Sequence, residues 1–140
     1  MKIEIEKLGI LEIEKSDNIL SPDFVTSYKQ LKVFQKSYKL AIDIHKYSLG
    51  FPKIEQYALA DQLRRASKSI CANIAEGFTR QRASKLEWKR FLLISASSAE
   101  ESRMWVDFSF DLNYISDEIY STWQNELDNI INMLHKMRAK

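Results

Sequence analysis

The hydrophobic period of the chain changes once, near residue 27. Before that point Ile3 and Ile5 alternate with Glu4 and Glu6, and Leu11 and Ile13 alternate with Glu12 and Glu14. Period-two alternation of this kind predicts short extended segments, with Gly9 available for a turn between them. An isolated hairpin is marginal in water, so such an arm needs a surface to dock on, either its own domain or a neighbouring subunit. Asn18 to Ser27 reads as a linker that Pro22 keeps out of regular structure.

From Tyr28 onward the spacing becomes three and four. Leu31, Phe34, Tyr38, Ala41, His45 and Leu49 predict a first helix, stopped by Gly50 and Pro52. A second helix is expected from near Glu55, with Leu59, Leu63, Ala66, Ile70 and Ile74 on its apolar stripe and Gly77 closing it. Ser84 and Glu87 have capping-box spacing, which predicts a third helix from Lys85 to Leu112, roughly 40 Å long at 1.5 Å per residue. Asn113 suits its end. Ser116, Asp117 and Glu118 open a fourth helix whose stripe is Ile119, Trp123, Leu127, Ile130, Leu134 and Met137, with Lys136, Arg138 and Lys140 at its negative end. Short connections between long helices predict an all-α, up-and-down antiparallel four-helix bundle over residues 27–140, preceded by an extended arm and linker over residues 1–26.

Composition agrees. A chain of 140 residues suits one core, and 3 Gly with 2 Pro leave few residues for the turns of a sandwich or a doubly wound sheet. Apolar content of 45% and charged content of 29% indicate a globular chain. The net charge is only +2, yet residues 1–27 hold three Lys against six Asp and Glu, so the positive excess falls on the bundle. The single cysteine, Cys71, excludes an internal disulfide and fits a reducing compartment, and its apolar neighbours Ile70 and Ala72 suggest a buried or interfacial thiol. No apolar run reaches membrane-spanning length and no signal-peptide core opens the chain, so a cytoplasmic location with no membrane partner is expected.

Three patterns are candidates for function. On the second helix Gln62, Arg65, Ser69, Asn73 and Glu76 form a narrow polar stripe beside the apolar one. With Ser98 and Glu101 of the third helix they are expected to form a structural polar network, since buried polar groups need partners; the other reading is a solvated face that meets a ligand. On the third helix Phe91, Ser95, Ser98, Ser102, Trp105, Ser109 and Leu112 form a seam in which Ser replaces the usual Leu, so helices can approach closely within one chain or between subunits. The densest basic region combines Arg64, Arg65 and Lys68 with Arg80, Arg82, Lys85, Lys89 and Arg90. Arg64, Lys68, Arg80, Arg82, Lys85, Lys89 and Arg90 are the candidate phosphate contacts. Catalytic spacing is missing: His45 and His135 lie far apart with no metal-ligand pattern, and there is no Gly-rich loop or nucleophile elbow. No catalytic residue, metal or cofactor is therefore expected.

QLRRASKSICANIAEGFTR (Gln62 to Arg80) resembles the signature of the 23S rRNA intervening-sequence proteins, a four-helix-bundle family. SYKQLKVFQKSYKLA (Ser27 to Ala41) looks like that family's opening helix, with Phe34 where Trp is usual. FPKIEQYALADQLRRA resembles its loop and second-helix start, and Ser98, Glu101 and the DLNYI run (Asp111 to Ile115) resemble its third helix. Ser102 and Arg103 depart from the family's usual Leu and Glu, and the N-terminal arm lies outside the pattern. The resemblance covers about residues 27–135. It implies an all-α bundle similar to the accessory protein of diversity-generating retroelements, which assembles as a ring of five and assists a reverse transcriptase. The expectation is thus a homo-oligomeric, pentameric scaffold that binds RNA, DNA or a nucleic-acid-handling protein. The alternative is a protein-interaction adaptor without nucleic-acid contact.

Overall fold

The computed structural model describes residues 25–140. The expected N-terminal arm falls outside the described residues. Four helices follow in chain order: α1 (Lys32–Ser48), α2 (Leu59–Arg80), α3 (Lys85–Asp111) and α4 (Asp117–Ala139). Each packs on the next, and α4 closes against α1. Tyr114 of the α3–α4 turn donates to Glu55 of the α1–α2 connection at 2.8 Å, so those two connections share one end. The α2–α3 turn lies at the other. This is the antiparallel bundle that the spacing predicts.

Local chemistry sets the boundaries. Lys53–Glu55 is a separate 3-10 turn, and α2 starts at Leu59 rather than near Glu55. Gln56 holds the α1–α2 connection by donating to the carbonyls of Ser48, Leu49 and Phe51. Ser84 caps α3 by accepting from the Glu87 N–H at 3.1 Å, while the Glu87 carboxylate turns outward to Arg80 and Arg90. Asn113 takes a positive φ of 66°. Its N–H reaches the Phe110 carbonyl and the Tyr114 N–H the Ser109 carbonyl, the two bonds of a Schellman stop.

The core contains Leu63, Ile70 and Ile74 of α2, Leu92 and Val106 of α3, and Leu127, Ile130 and Leu134 of α4. The stripe predicted for α1 is out of phase by about one position. Val33, Leu40 and Ile44 are buried with Ala41, whereas Tyr38 and Leu49 are exposed. Two core-facing positions on α1 are Ser37 and Ser48, which hydropathy counts as polar.

Among the described residues the buried polar ones are all serines: Ser37, Ser48, Ser67, Ser95, Ser102 and Ser109. Five of them donate to carbonyls of their own helix, which satisfies the hydroxyl at little volume. Ser95 instead donates across to the Ile70 carbonyl of α2 at 2.8 Å. Ser98 shares a hydrogen bond with Ser69 at 2.9 Å. The α3 seam at Ser95 and Ser98 thus faces α2 of the same chain. α2 and α3 approach closely at Gly77, where an added Cβ would stand 2.5 Å from the Cβ of Phe91 and 2.9 Å from the Trp88 ring.

Candidate nucleic-acid interface

Two pairs of elements meet at the α2–α3 end: the start of α1 with the end of α2, and the start of α3 with the end of α4. From Tyr28 to Lys39 the chain holds Lys29, Lys32, Lys36 and Lys39 and no carboxylate of its own, although Lys36 pairs with Glu126 of α4 at 3.1 Å. From Asn132 to Lys140 it holds Lys136, Arg138 and Lys140, again without a carboxylate. Antiparallel folding places both beside Arg80, Arg82, Lys85, Lys89 and Arg90. The opposite end carries Glu55, Asp61, Asp107, Asp111, Asp117 and Glu118 against Lys46, Lys53, Arg64 and Arg65, a small negative balance. The bundle is therefore a charge dipole with a cationic and an anionic end, which a net charge of +2 conceals.

The α2–α3 turn is partly pre-set. Glu87 pairs with Arg90 at 2.9 Å and reaches Arg80 at 3.8 Å, and Arg80 also pairs with Glu76 at 3.3 Å. Both guanidiniums lie near the Phe91 ring, Arg80 at 5.2 Å and Arg90 at 5.0 Å from its centroid. One carboxylate and one aromatic ring one turn apart thus fix two arginines. Each is solvated, so the pairs stabilise little. Their effect is to limit the rotamers a phosphate would have to order. Arg82 and Lys85 are exposed and Lys89 half-buried, and none of the three meets a carboxylate among the described residues.

Arg64 and Lys68 do not join this end. Lys68 precedes Arg80 by twelve residues, which is roughly 18 Å of helix. Arg64 donates to the Gln56 carbonyl at 2.7 Å, the Gln56 side-chain oxygen at 3.3 Å and Ser48 Oγ at 3.0 Å, bracing the α1–α2 connection. Lys68 Nζ lies 3.0 Å from His45 Nδ1. The seven basic positions are thus two groups: five at the cationic end, two beside α1.

The expected polar network is also smaller than seven residues. Ser69, Asn73 and Ser98 form a connected set, in which Asn73 donates to the Ser69 carbonyl at 2.8 Å and to its hydroxyl at 3.1 Å. Arg65 faces Asp61 at 3.7 Å, Glu76 faces Arg80, and Glu101 accepts from the Trp105 indole at 2.9 Å. Gln62 is exposed. Helical spacing places these residues near one another, but each charged one finds a partner within its own helix.

Among the described residues no helix is long and apolar enough to cross a membrane, and no group of three His, Cys, Asp or Glu is placed to hold a metal ion. Burial pushes the Cys71 thiol up to about 12. The thiolate is the reactive form, so Cys71 is expected to react with iodoacetamide at pH 8 at least about tenfold more slowly than an unfolded cysteine peptide. Its rate should still climb above pH 9. A plateau near pH 8 would show an ordinary solvated thiol.

The sequence profile of the 23S rRNA-intervening sequence protein family matches residues 29–136. The chain is also similar to a crystal structure of a protein of unknown function from the S23 ribosomal protein family of Bacteroides thetaiotaomicron. That pair shares 26% identity and superposes with a TM-score of 0.69, over 77% of this chain and 96% of the other. No curated protein matches the chain.

Proposed function

The chain belongs to the 23S rRNA-intervening sequence protein family, and from that membership we propose that it is a non-enzymatic, homo-oligomeric scaffold whose cationic end binds the phosphate backbone of nucleic acid. The observation that carries this reading is the segregation of charge. Three stretches far apart in sequence bring twelve Lys and Arg to one end, where Glu76, Glu87 and Glu126 offset only part of the charge, while most of the other carboxylates lie towards the opposite end. A polyanion approaching such a molecule is attracted to one face and repelled by the other, which orients it before contact.

Self-association is supported by a second feature. Leu86, Leu93 and Met104 of α3 are exposed at 79%, 43% and 42%, with Phe108 at 48%. Their separations of seven and eleven residues return a helix to nearly the same azimuth, so they form one solvent-facing stripe. The serine seam is occupied within the chain, which leaves this opposite face for a second copy. A ring of five copies would set five cationic ends around one axis and multiply weak phosphate contacts. A nucleic-acid-handling enzyme such as a reverse transcriptase is the class of protein partner that fits such a ring.

The alternative of a protein adaptor is favoured by one specific observation. Ile54 and Tyr57 are exposed at 84% and 96% on a connection that Gln56 and Arg64 hold rigid. Mass in solution by light scattering, with and without a short RNA, separates the readings. The scaffold predicts an oligomer whose mass rises with RNA. A monomer unchanged by RNA would leave the adaptor standing.

A further inference from the structure

We propose that His45, Lys68 and Arg64 form a second anion site, on the α1–α2 face, that takes a single phosphate or sulfate group and is opened by protonation of His45. It is separate from the cationic end, and stands or falls independently of nucleic-acid binding there.

Lys68 Nζ sits 3.0 Å from His45 Nδ1, so one ammonium proton is directed at the ring of a residue from the neighbouring helix. Arg64 lies one turn before Lys68 on α2, where side chains four apart are neighbours. Three of its five N–H donors are used by Gln56 and Ser48, which fixes the guanidinium and leaves two donors unassigned. Among the described residues neither Lys68 nor Arg64 meets a carboxylate, whereas the adjacent Arg65 has Asp61. Two cations and an imidazole held together with no counter-charge repel one another, and a small dianion would relieve that repulsion.

The titration of His45 follows the same logic. Its pKa is lowered by burial first, then by the charges of Lys68 and Arg64. Those are the charged groups acting on it, both from α2. The neutral ring therefore accepts from Lys68 at Nδ1, which leaves it a single donor, the Nε2–H, on the other side of the ring. On protonation it becomes a donor at both nitrogens. The Lys68 ammonium must then swing away, and a phosphate oxygen placed between the two would accept from both. Anion binding and His45 protonation are thus linked, each favouring the other.

Sulfate is the better probe, because it stays a dianion between pH 5 and 8 and leaves all pH dependence to the protein. The full chain would be titrated by proton NMR of the histidine rings at constant ionic strength, in chloride and in sulfate, with His135→Gln identifying the His45 signal. The site predicts that saturating sulfate raises the His45 midpoint by on the order of one unit, which means about tenfold tighter binding to the protonated form. Lys68→Gln should remove that shift while leaving the helical circular dichroism unchanged. An oligonucleotide without terminal phosphates tests the source. A single-group site predicts no His45 shift with it, and an equal shift would overturn the separation from backbone binding. Identical His45 midpoints in chloride and sulfate would overturn the site itself.

Discussion

Replacing Arg82, Lys85 and Lys89 together by glutamate is expected to lower affinity for a short single-stranded RNA at low salt by at least about tenfold, and to flatten its salt dependence. Each lost phosphate contact removes about 0.7 from the slope of log affinity against log salt on a single strand, so the slope should fall by about 2. The fold should survive. Arg82 and Lys85 are exposed, Lys89 is half-buried, and none is in an ion pair among the described residues. Glutamate at position 85 also places negative charge at the start of α3, where the helix dipole favours it. The corresponding reversal at the other end, Asp111→Lys with Asp117→Lys, should not weaken binding. Filter binding or fluorescence anisotropy on both variants reads the difference. Equal affinity for the wild type and the glutamate triple would remove the cationic end from the account.

Gly77→Ala is expected to destabilise the bundle although alanine is the better helix former. The new methyl group would meet the Phe91 Cβ at 2.5 Å and the Trp88 ring at 2.9 Å. A Cβ is fixed to its backbone, so relief requires α2 and α3 to separate at this contact. Overpacking of this kind costs about 1–3 kcal/mol, against about 1 kcal/mol regained from helix propensity. The denaturation midpoint in urea should therefore fall, and Gly77→Val should lower it further. A midpoint that rises would mean that the helices part there at no cost. The same movement would shift Arg80, three residues on, relative to Glu87 and Phe91, so Gly77→Ala should also weaken nucleic-acid binding.

The fold was legible wherever aliphatic residues mark the inward face. On α2, Leu59, Leu63, Ala66, Ile70 and Ile74 recur at helical spacing and are buried as the pattern predicts. The caps were equally readable, because Ser84, Asn113 and Ser116 are residue types with a mechanism at helix ends. The phase of α1 was not. Ser37 and Ser48 face the core with their hydroxyls satisfied, while Tyr38 and Leu49 face solvent. A hydropathy pattern assigns all four to the wrong side, since it cannot see a hydroxyl bonded to a carbonyl of its own helix.

The candidate interface was legible only in part. Arg80 to Arg90 is dense enough to notice in one dimension. Lys29 to Lys39 and Lys136 to Lys140 look like separate, ordinary helix ends, and they become one surface only when alternate helices are reversed. The signal was present as the charge of each helix end, added in antiparallel order. Arg64 and Lys68 err in the other direction. They are close to Arg80 in sequence, but the helical rise carries them away, and their own partners, Gln56, Ser48 and His45, come from the α1 side.

Phosphate binding by this bundle depends on the gathering of Lys and Arg from three distant stretches at one end. The most direct test is the affinity of the unmodified chain for a short RNA, measured from about 20 to 300 mM salt. Counterion release from several simultaneous phosphate contacts predicts a straight line of log affinity against log salt with a slope of about −3 or steeper. Binding that does not change with salt, or no binding at the lowest salt, would contradict it.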